Sequence, residues 1–319
     1  MRIATDIQGI ERVAPPGISV NSFSRENFPA RWPRNLRLLK AALRADYLVI
    51  HFSLVEVLFF ATLLFVIPFA RCRLVTLDFF VLSPAWLQPL VRWSLRRTYK
   101  MLVYFRDSSR FQQIYDLPPE KFQYVPFKIN QLESVQATQI RDEQYLFVGG
   151  RSRRDFKTLF EAVKCLPYPV KILTAKEPEI NPHGSSLAGL NPPPNVTIFY
   201  NDTDTQFFLQ LMSGARLVVL PILKESKIQA GIAIYLAAMA LRKCVIISEA
   251  PGVNDVLLEG QACIVPPGDV AALRGAIETL WSDDALRQQY ADAGYRYAIP
   301  LGGDDELRRS VLRAIQAAA

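Results

Sequence analysis

The sequence predicts an α/β protein built from two Rossmann-like domains. Short apolar, β-branched runs alternate with helical patterns along the chain. Those runs are apolar throughout, which marks strands covered on both faces of a parallel sheet. With 319 residues, half of them hydrophobic and about a fifth charged, the chain is long enough for two such domains and has a globular balance.

In the first half, strands are expected at Arg2–Thr5, Tyr47–Phe52, Arg73–Asp78 and Met101–Arg106, with a weaker one at Gln123–Val125. A helix is expected over Asn35–Ala45, where Leu36, Leu39 and Leu43 share one face. The second half alternates more cleanly. Its expected strands are Tyr145–Val148, Val170–Thr174, Val196–Tyr200, Leu217–Pro221, Cys244–Ser248 and Cys263–Val265. Its helices are Phe156–Cys165, Thr205–Ser213, Gly231–Leu241 and Val270–Trp281. The polar stretch Asn130–Glu143 separates the halves, so the domains are set at 1–135 and 136–300. Beyond Pro300–Gly303, residues 301–319 form a last helix that can cross back to the first domain.

Composition narrows the chemistry. His51 and His183 are the only histidines, so a His-rich metal site is excluded. Cys72, Cys165, Cys244 and Cys263 form no CxxC pair and read as buried, reduced thiols. The opening run MRIATDIQGI has no charged start followed by a long apolar stretch and does not read as a secretory leader. The apolar run Val57–Ala70 contains Pro68 and is short of the ~20 residues of a membrane span. It reads as a buried helix, with insertion into a membrane surface as the alternative. Residues 1–130 hold 18 Lys and Arg against 9 Asp and Glu, whereas the remainder holds 19 against 21. The positive excess therefore belongs to the first half. An anionic lipid, a phosphorylated acceptor, a nucleic acid and a merely solvated basic face all fit it. Within that half, VRWSLRRTYK, Val91–Lys100, mixes Arg92, Arg96, Arg97 and Lys100 with Trp93 and Tyr99, a composition suited to anionic lipid. Nucleic-acid binding is not expected, because no recognised module accompanies the charge.

Two segments carry chemistry. In YLFVGGRSRRDFKTLFEAV, a strand runs into Gly149-Gly150 and a helix opens near Asp155. Glycines at such a turn let the backbone approach a ligand, and a helix N-terminus favours phosphate. Arg151, Arg154 and Lys157 add cations that can clamp a diphosphate, while Asp155 suits a helix cap. The spacing is neither GxGxxG nor GxxxxGK[ST]. The second segment, Leu217–Leu257, has a strand ending at Pro221 and a polar loop that contains Lys224, Lys227 and Gln229. Gly231 then opens an Ala-rich helix. The amides of Gly231 and Ile232, with Lys224 or Lys227, are placed to meet a diphosphate at the end of a parallel strand.

This second segment resembles the group 1, GT4-like glycosyltransferases. Ala238-Met239-Ala240, Val245-Ile246, Pro251-Gly252 and Val265-Pro266-Pro267-Gly268-Asp269 follow in the family's order, and Gly149–Asp155 falls at its first phosphate loop. The likeness covers about Tyr145 to Tyr297; the first 130 residues match only loosely. The resemblance implies a GT-B fold, with two Rossmann-like domains facing a central cleft. It further implies transfer of a sugar, with retention, from a nucleotide-diphosphate donor to an acceptor hydroxyl. The family carries two glutamates eight positions apart where this chain has Gln229 and Ala237. Its glycine-rich first loop is here Asp6-Ile7-Gln8-Gly9-Ile10, with one glycine.

His51 closes a strand-like run, where the resemblance gives a histidine that contacts a sugar hydroxyl or phosphate oxygen. It is the catalytic candidate, against a purely structural histidine. Asp202-Thr203-Asp204 looks like the DxD of metal-dependent enzymes but reads better as a turn that caps the next helix. Asn201 and Asp202 are the candidates near the nucleotide base. No metal or cofactor is called for. The expected partners are a nucleotide-sugar and a saccharide or lipid-linked acceptor. The expected place is the cytoplasm, peripheral to the inner membrane face, in polysaccharide or glycolipid synthesis. A catalytically weakened homologue serving as a binding or scaffold protein is the alternative. A sugar-nucleotide epimerase is a third.

Overall fold

The computed structural model describes residues 1–51, 53–67, 70–78, 83–175, 184–201, 204–226 and 229–318. The chain divides into two compact units, Met1–Pro126 together with Asp305–Ala319, and Phe127–Asp304.

The first unit holds strands β1 (Arg2–Thr5), β2 (Ser19–Ser22), β3 (Tyr47–His51), β4 (Arg73–Leu77), β5 (Lys100–Val103) and β6 (Phe122–Tyr124). All pair in parallel in the order β2-β1-β3-β4-β5-β6. Helices α1 (Arg31–Ala42), α2 (Leu54–Val66), α3 (Gln88–Arg97) and α4 (Ser109–Tyr115) belong to this unit. Ala4, Leu48, Ile50, Leu74 and Met101 of the strands pack with Leu38, Phe60 and Leu95 of the helices in one core. β2 was not expected, because Ser-Val-Asn-Ser carries no apolar run; it is an edge strand held by β1 alone. α1 begins four residues before the expected start, since Pro33 sits within the first turn, where its missing N–H costs nothing.

The second unit holds α5 (Leu132–Ala137), β7 (Leu146–Gly149), α6 (Phe156–Val163), β8 (Val170–Leu173), β9 (Val196–Phe199), α7 (Thr205–Gly214) and β10 (Leu217–Leu220). It continues with α8 (Ile232–Ala240), β11 (Cys244–Ser248), β12 (Cys263–Val265), α9 (Val270–Ser282) and α10 (Asp284–Ala298). Its parallel sheet runs β12-β11-β10-β7-β8-β9. Counted within the unit, this is the 3-2-1-4-5-6 order of dinucleotide-binding folds, and it reverses between β7 and β10. Four helices begin on an aspartate that accepts a backbone N–H. Asp155 accepts from Thr158 at 2.9 Å, Asp204 from Phe207 at 3.0 Å, Asp269 from Ala272 at 2.9 Å and Asp283 from Leu286 at 2.8 Å. Each such cap contributes about 1 kcal/mol. The closing helix α11 (Asp304–Ala317) lies almost wholly in the first unit, where Arg308 donates to the Gln8 carbonyl at 2.8 Å and Ala314 accepts from Gln123 at 3.3 Å.

Two expectations need correction. The helix within Val57–Ala70 is buried on one face only: Glu56, Val57, Phe60 and Ala61 turn inward, while Phe65 and Val66 are 60% and 65% exposed. Pro68 lies outside the described residues. Of the four cysteines, only Cys244 is buried; Cys165, just past the end of α6, is exposed. Among the described residues no helix is long and apolar enough to cross a membrane.

Lys243 follows α8 and is 6% exposed, donating to the carbonyls of Arg141 and Ala215. Burial pushes its ammonium down to about 8. Between that value and the ~10.4 of an exposed lysine, the unfolded chain binds the extra proton. Stability therefore rises with pH across this window. Urea unfolding across it should show that rise in the wild type and a flatter profile in Lys243→Met; equal slopes would refute the burial argument.

Candidate functional site

Open α/β sheets hold ligands beyond the strand ends where the strand order reverses. In the second unit that place lies between the loops after β7 and β10. The β7 loop turns through Gly150 at φ 94° and Arg153 at φ 57°. It is bonded to its neighbours by backbone contacts. The N–H groups of Asp155 and Leu223 reach the carbonyls of Pro221 and Arg153 at 3.0 Å each, and Gly150 reaches Leu173 at 3.2 Å. The backbone N–H of Arg154 donates to the Ser185 hydroxyl at 2.7 Å.

Arg154 is the centre of this arrangement. Its side chain is buried, with 2% exposure. Nε donates to the Gly149 carbonyl and Nη1 to the Ser152 carbonyl, both at 2.8 Å. Among the described residues no carboxylate pairs with it, and burial lowers its pKa to about 10, so it stays charged at neutral pH. Gly150 has no space for a side chain, because a Cβ there would sit 2.6 Å from Ile234 and 2.7 Å from Nη2 of Arg154. Gly231, at φ 86°, caps α8 with no side chain and lies close to the same guanidinium.

A cavity of about 650 Å³ opens here. Gly150, Arg151, Arg154 and Gly231 line it together with the apolar side chains of Leu173, Phe208, Leu209 and Ala237. Lys128 and Asp304, which pair at 2.7 Å, complete it. A buried cation, amides at the start of a nine-residue helix and an apolar wall suit an anion attached to a flat ring.

Of the residues singled out from sequence, Gly150, Arg151, Arg154 and Gly231 meet at this cavity. Gly149 stands behind it and supplies the carbonyl that holds Arg154. Lys157 and Lys224 are exposed and do not line it. Gln229 packs on Gly252, and the Ile232 side chain is buried beside the same glycine, leaving only its backbone at the helix start. Asn201 is exposed after β9 and away from the lining. Asp202, Lys227 and His183 lie outside the described residues. The sequence reading missed Lys128 and Asp304. They sit in segments that look like linker, and only the fold pairs them, beside an Ile129 N–H that donates to Gly302 at 2.8 Å.

His51 belongs to the first unit, whose strand order reverses between β1 and β3. It ends β3 with its side chain 52% exposed and Nε2 3.9 Å from the Asp78 carboxylate. Its N–H donates to the Asp6 carboxylate at 2.7 Å. Burial raises the Asp6 pKa, against the opposing pull of that hydrogen bond and the nearby His51 and Arg34 charges.

These features define an anion-accepting cavity at the switch point of a Rossmann-like sheet. Residues 129–283 match the family model described as Glycosyl transferases group 1. The whole chain is similar to the structure of Anabaena Alr3699/HepE in complex with UDP, with TM-score 0.70 and 15% identity over 99% of this chain and 100% of that one. A glycosyltransferase from Rickettsia africae ESF-5 aligns with TM-score 0.67 and 13% identity over 99% of this chain and 89% of that one. The UDP-GlcNAc 2-epimerase from Neisseria meningitidis aligns less well, with TM-score 0.56 and 12% identity over 99% and 100% of the two chains. Compared with curated proteins by sequence, the chain has no match. The fold is that of GT-B glycosyltransferases, and residues 129–283 carry the match to the group 1 glycosyltransferases.

Gly150→Ala tests the geometry directly. The added methyl meets Ile234 and Arg154 and requires a positive φ, so thermal unfolding should show a loss of roughly 2–4 kcal/mol. A neutral substitution would mean that the loop is not held as described.

Proposed function

We propose that the protein transfers a sugar, with retention, from a UDP-sugar to an acceptor hydroxyl in polysaccharide or glycolipid synthesis. The observation that carries this reading is the buried Arg154 guanidinium, without a carboxylate partner among the described residues, set against Gly150 and Gly231. A buried charge is costly unless compensated, and a diphosphate supplies the compensation. The neighbour solved with UDP-glucose supports a UDP-sugar over other donors. Arg154, Arg151 and the amides at the start of α8 would bind the diphosphate and stabilise its charge as it leaves. Leu173, Phe208 and Leu209 would cover the base. This reading assigns charge neutralisation to side chains and amides and calls for no metal or cofactor. His51 is assigned a contact to the reacting sugar or acceptor.

The acceptor is proposed to be a saccharide or lipid-linked sugar, with no nucleic-acid partner, and the enzyme to work in the cytoplasm, peripheral to the membrane. The half-exposed apolar face of α2 supports the last point. Phe65 packs edge-on to Trp93 of α3 at 5.7 Å, and Arg97 stacks on both rings at 4.0 Å. A weakened, binding-only homologue is the second reading, favoured by one observation: Ala237 lines the cavity where the family carries a glutamate that holds the donor ribose.

UDP at a hundredfold excess over its Kd should raise stability by ~2.7 kcal/mol, read as a higher Tm; no shift with any nucleoside diphosphate would remove the donor reading. Arg154→Met should weaken UDP about tenfold or more, with Arg154→Lys intermediate, because the lysine keeps charge but not the planar fork. Titration calorimetry checks this, and equal affinities would clear Arg154 of the role. Sugar transfer from UDP-glucose, followed by product analysis, separates an active enzyme from a binding protein.

A further inference from the structure

The N-terminal edge of the first sheet holds a second charged cavity, of about 580 Å³. Strands β1, β3 and β4 lie side by side, with Ile3 in register with Tyr47 and Tyr47 with Arg73. Arg2 and Arg73 thus begin the two strands that flank β3. The turns that lead into β3 and β4 add Arg44 and Arg71. Four guanidinium groups line this cavity against one carboxylate, Asp46. That carboxylate is already engaged: it accepts the Arg2 N–H at 2.7 Å and sits 3.6 Å from the Arg2 guanidinium. Those contacts, the backbone bond first, hold its pKa below the usual carboxylate range.

The remaining cations are placed but not neutralised. Arg73 lies against two rings, 4.6 Å from the Tyr99 centroid and 5.8 Å from that of Tyr47, and donates to the Tyr47 hydroxyl at 3.1 Å. A guanidinium stacked in this way keeps its edge free for bidentate hydrogen bonds. Arg44 and Arg71 are exposed and make no ion pair among the described residues. Like charges gathered in one concave site repel one another and raise the local concentration of anions. Planar guanidinium edges match phosphate oxygens. The edge is also the wrong one for the transfer chemistry, since α/β sheets hold reacting ligands at the opposite strand ends.

We propose that this cavity binds a phosphate group through Arg44, Arg71 and Arg73, as an anchoring site separate from the donor cavity of the other unit. The phosphate comes from a phospholipid headgroup or from a soluble phosphate compound, and the chemistry recognised is the same. The inference does not rest on the donor reading.

The test uses the full chain and Arg44→Glu/Arg71→Glu, two exposed positions. One arm is co-sedimentation with vesicles of 30:70 phosphatidylglycerol to phosphatidylcholine, roughly the negative surface charge at which each nearby basic residue counts. The other is calorimetric titration with inorganic tripolyphosphate under saturating UDP. The double variant should lose about tenfold or more in at least one arm, with Tm and UDP affinity unchanged. Loss confined to the vesicle arm identifies a lipid headgroup; loss confined to tripolyphosphate identifies a soluble ligand. A double variant that binds both as the wild type does, or a wild type that binds neither, overturns the proposal. Arg71→Gln alone, expected to lose several-fold, serves if the double variant fails to fold. Failure to bind UDP would instead strike the donor reading and leave the comparison between wild type and variant readable.

Discussion

The second unit is organised around one buried charge. Arg154 has its guanidinium bonded to two carbonyls of its own loop, Gly149 and Ser152, and its backbone bonded to Ser185. Two chain segments that are distant in sequence, the loop after β7 and the stretch at Ser185, are thereby joined at this residue. Such a charge is tolerable only because hydrogen bonds satisfy part of it and because one side meets a cavity that an anion can enter. The glycines follow from the local backbone and packing: Gly150 is small because the guanidinium and Ile234 occupy the space a side chain would need, and Gly231 because its φ is 86°. The loop is therefore both structure and site.

The parallel sheets place that loop. Backbone pairing sets β7 beside β10, and the reversal of strand order opens a gap that neither following helix covers. The core beneath it, with Leu146, Val148, Leu217 and Val219 fully or almost fully buried, makes the strand ends rigid. Four aspartate caps then set where α6, α7, α9 and α10 begin, while Gly231 opens α8 at the gap without a side-chain cap. The first unit uses the same architecture differently. Its basic residues concentrate at the N-terminal edge of the sheet and on exposed helix faces, so its charge excess is a property of its surface.

Much of this was legible beforehand, and the exceptions have physical causes. β11 and β12 were read to the residue, because their apolar β-branched runs are bounded by turn residues. The caps at Asp155 and Asp204 were readable because a carboxylate before an apolar helical run satisfies a local need. β2 was not legible: it is polar, at an edge, and defined only by the neighbour it pairs with. The exposed face of α2 was hidden for the opposite reason, since its sequence is apolar all round and nothing local says which side is covered. At the site, arginines at a glycine turn announced an anion. Their sequence did not say that Arg154 is buried while Lys157 and Lys224 point to solvent.

The sequence by itself determined the alternation of strands and helices, the two-unit plan, the glycine turn after β7 and the likeness of its second half to the group 1 glycosyltransferases. All of these rest on local pattern: hydrophobic period, capping chemistry and glycine at turns. Only the tertiary structure decided which cations share one cavity. It brought Lys128 to Asp304 across most of the second unit, gathered Arg2, Arg44, Arg71 and Arg73 at one sheet edge, and placed Ala237 on the wall of the first cavity. Charges act through space, and the distances that matter are set by strand order, which no short stretch of chain contains.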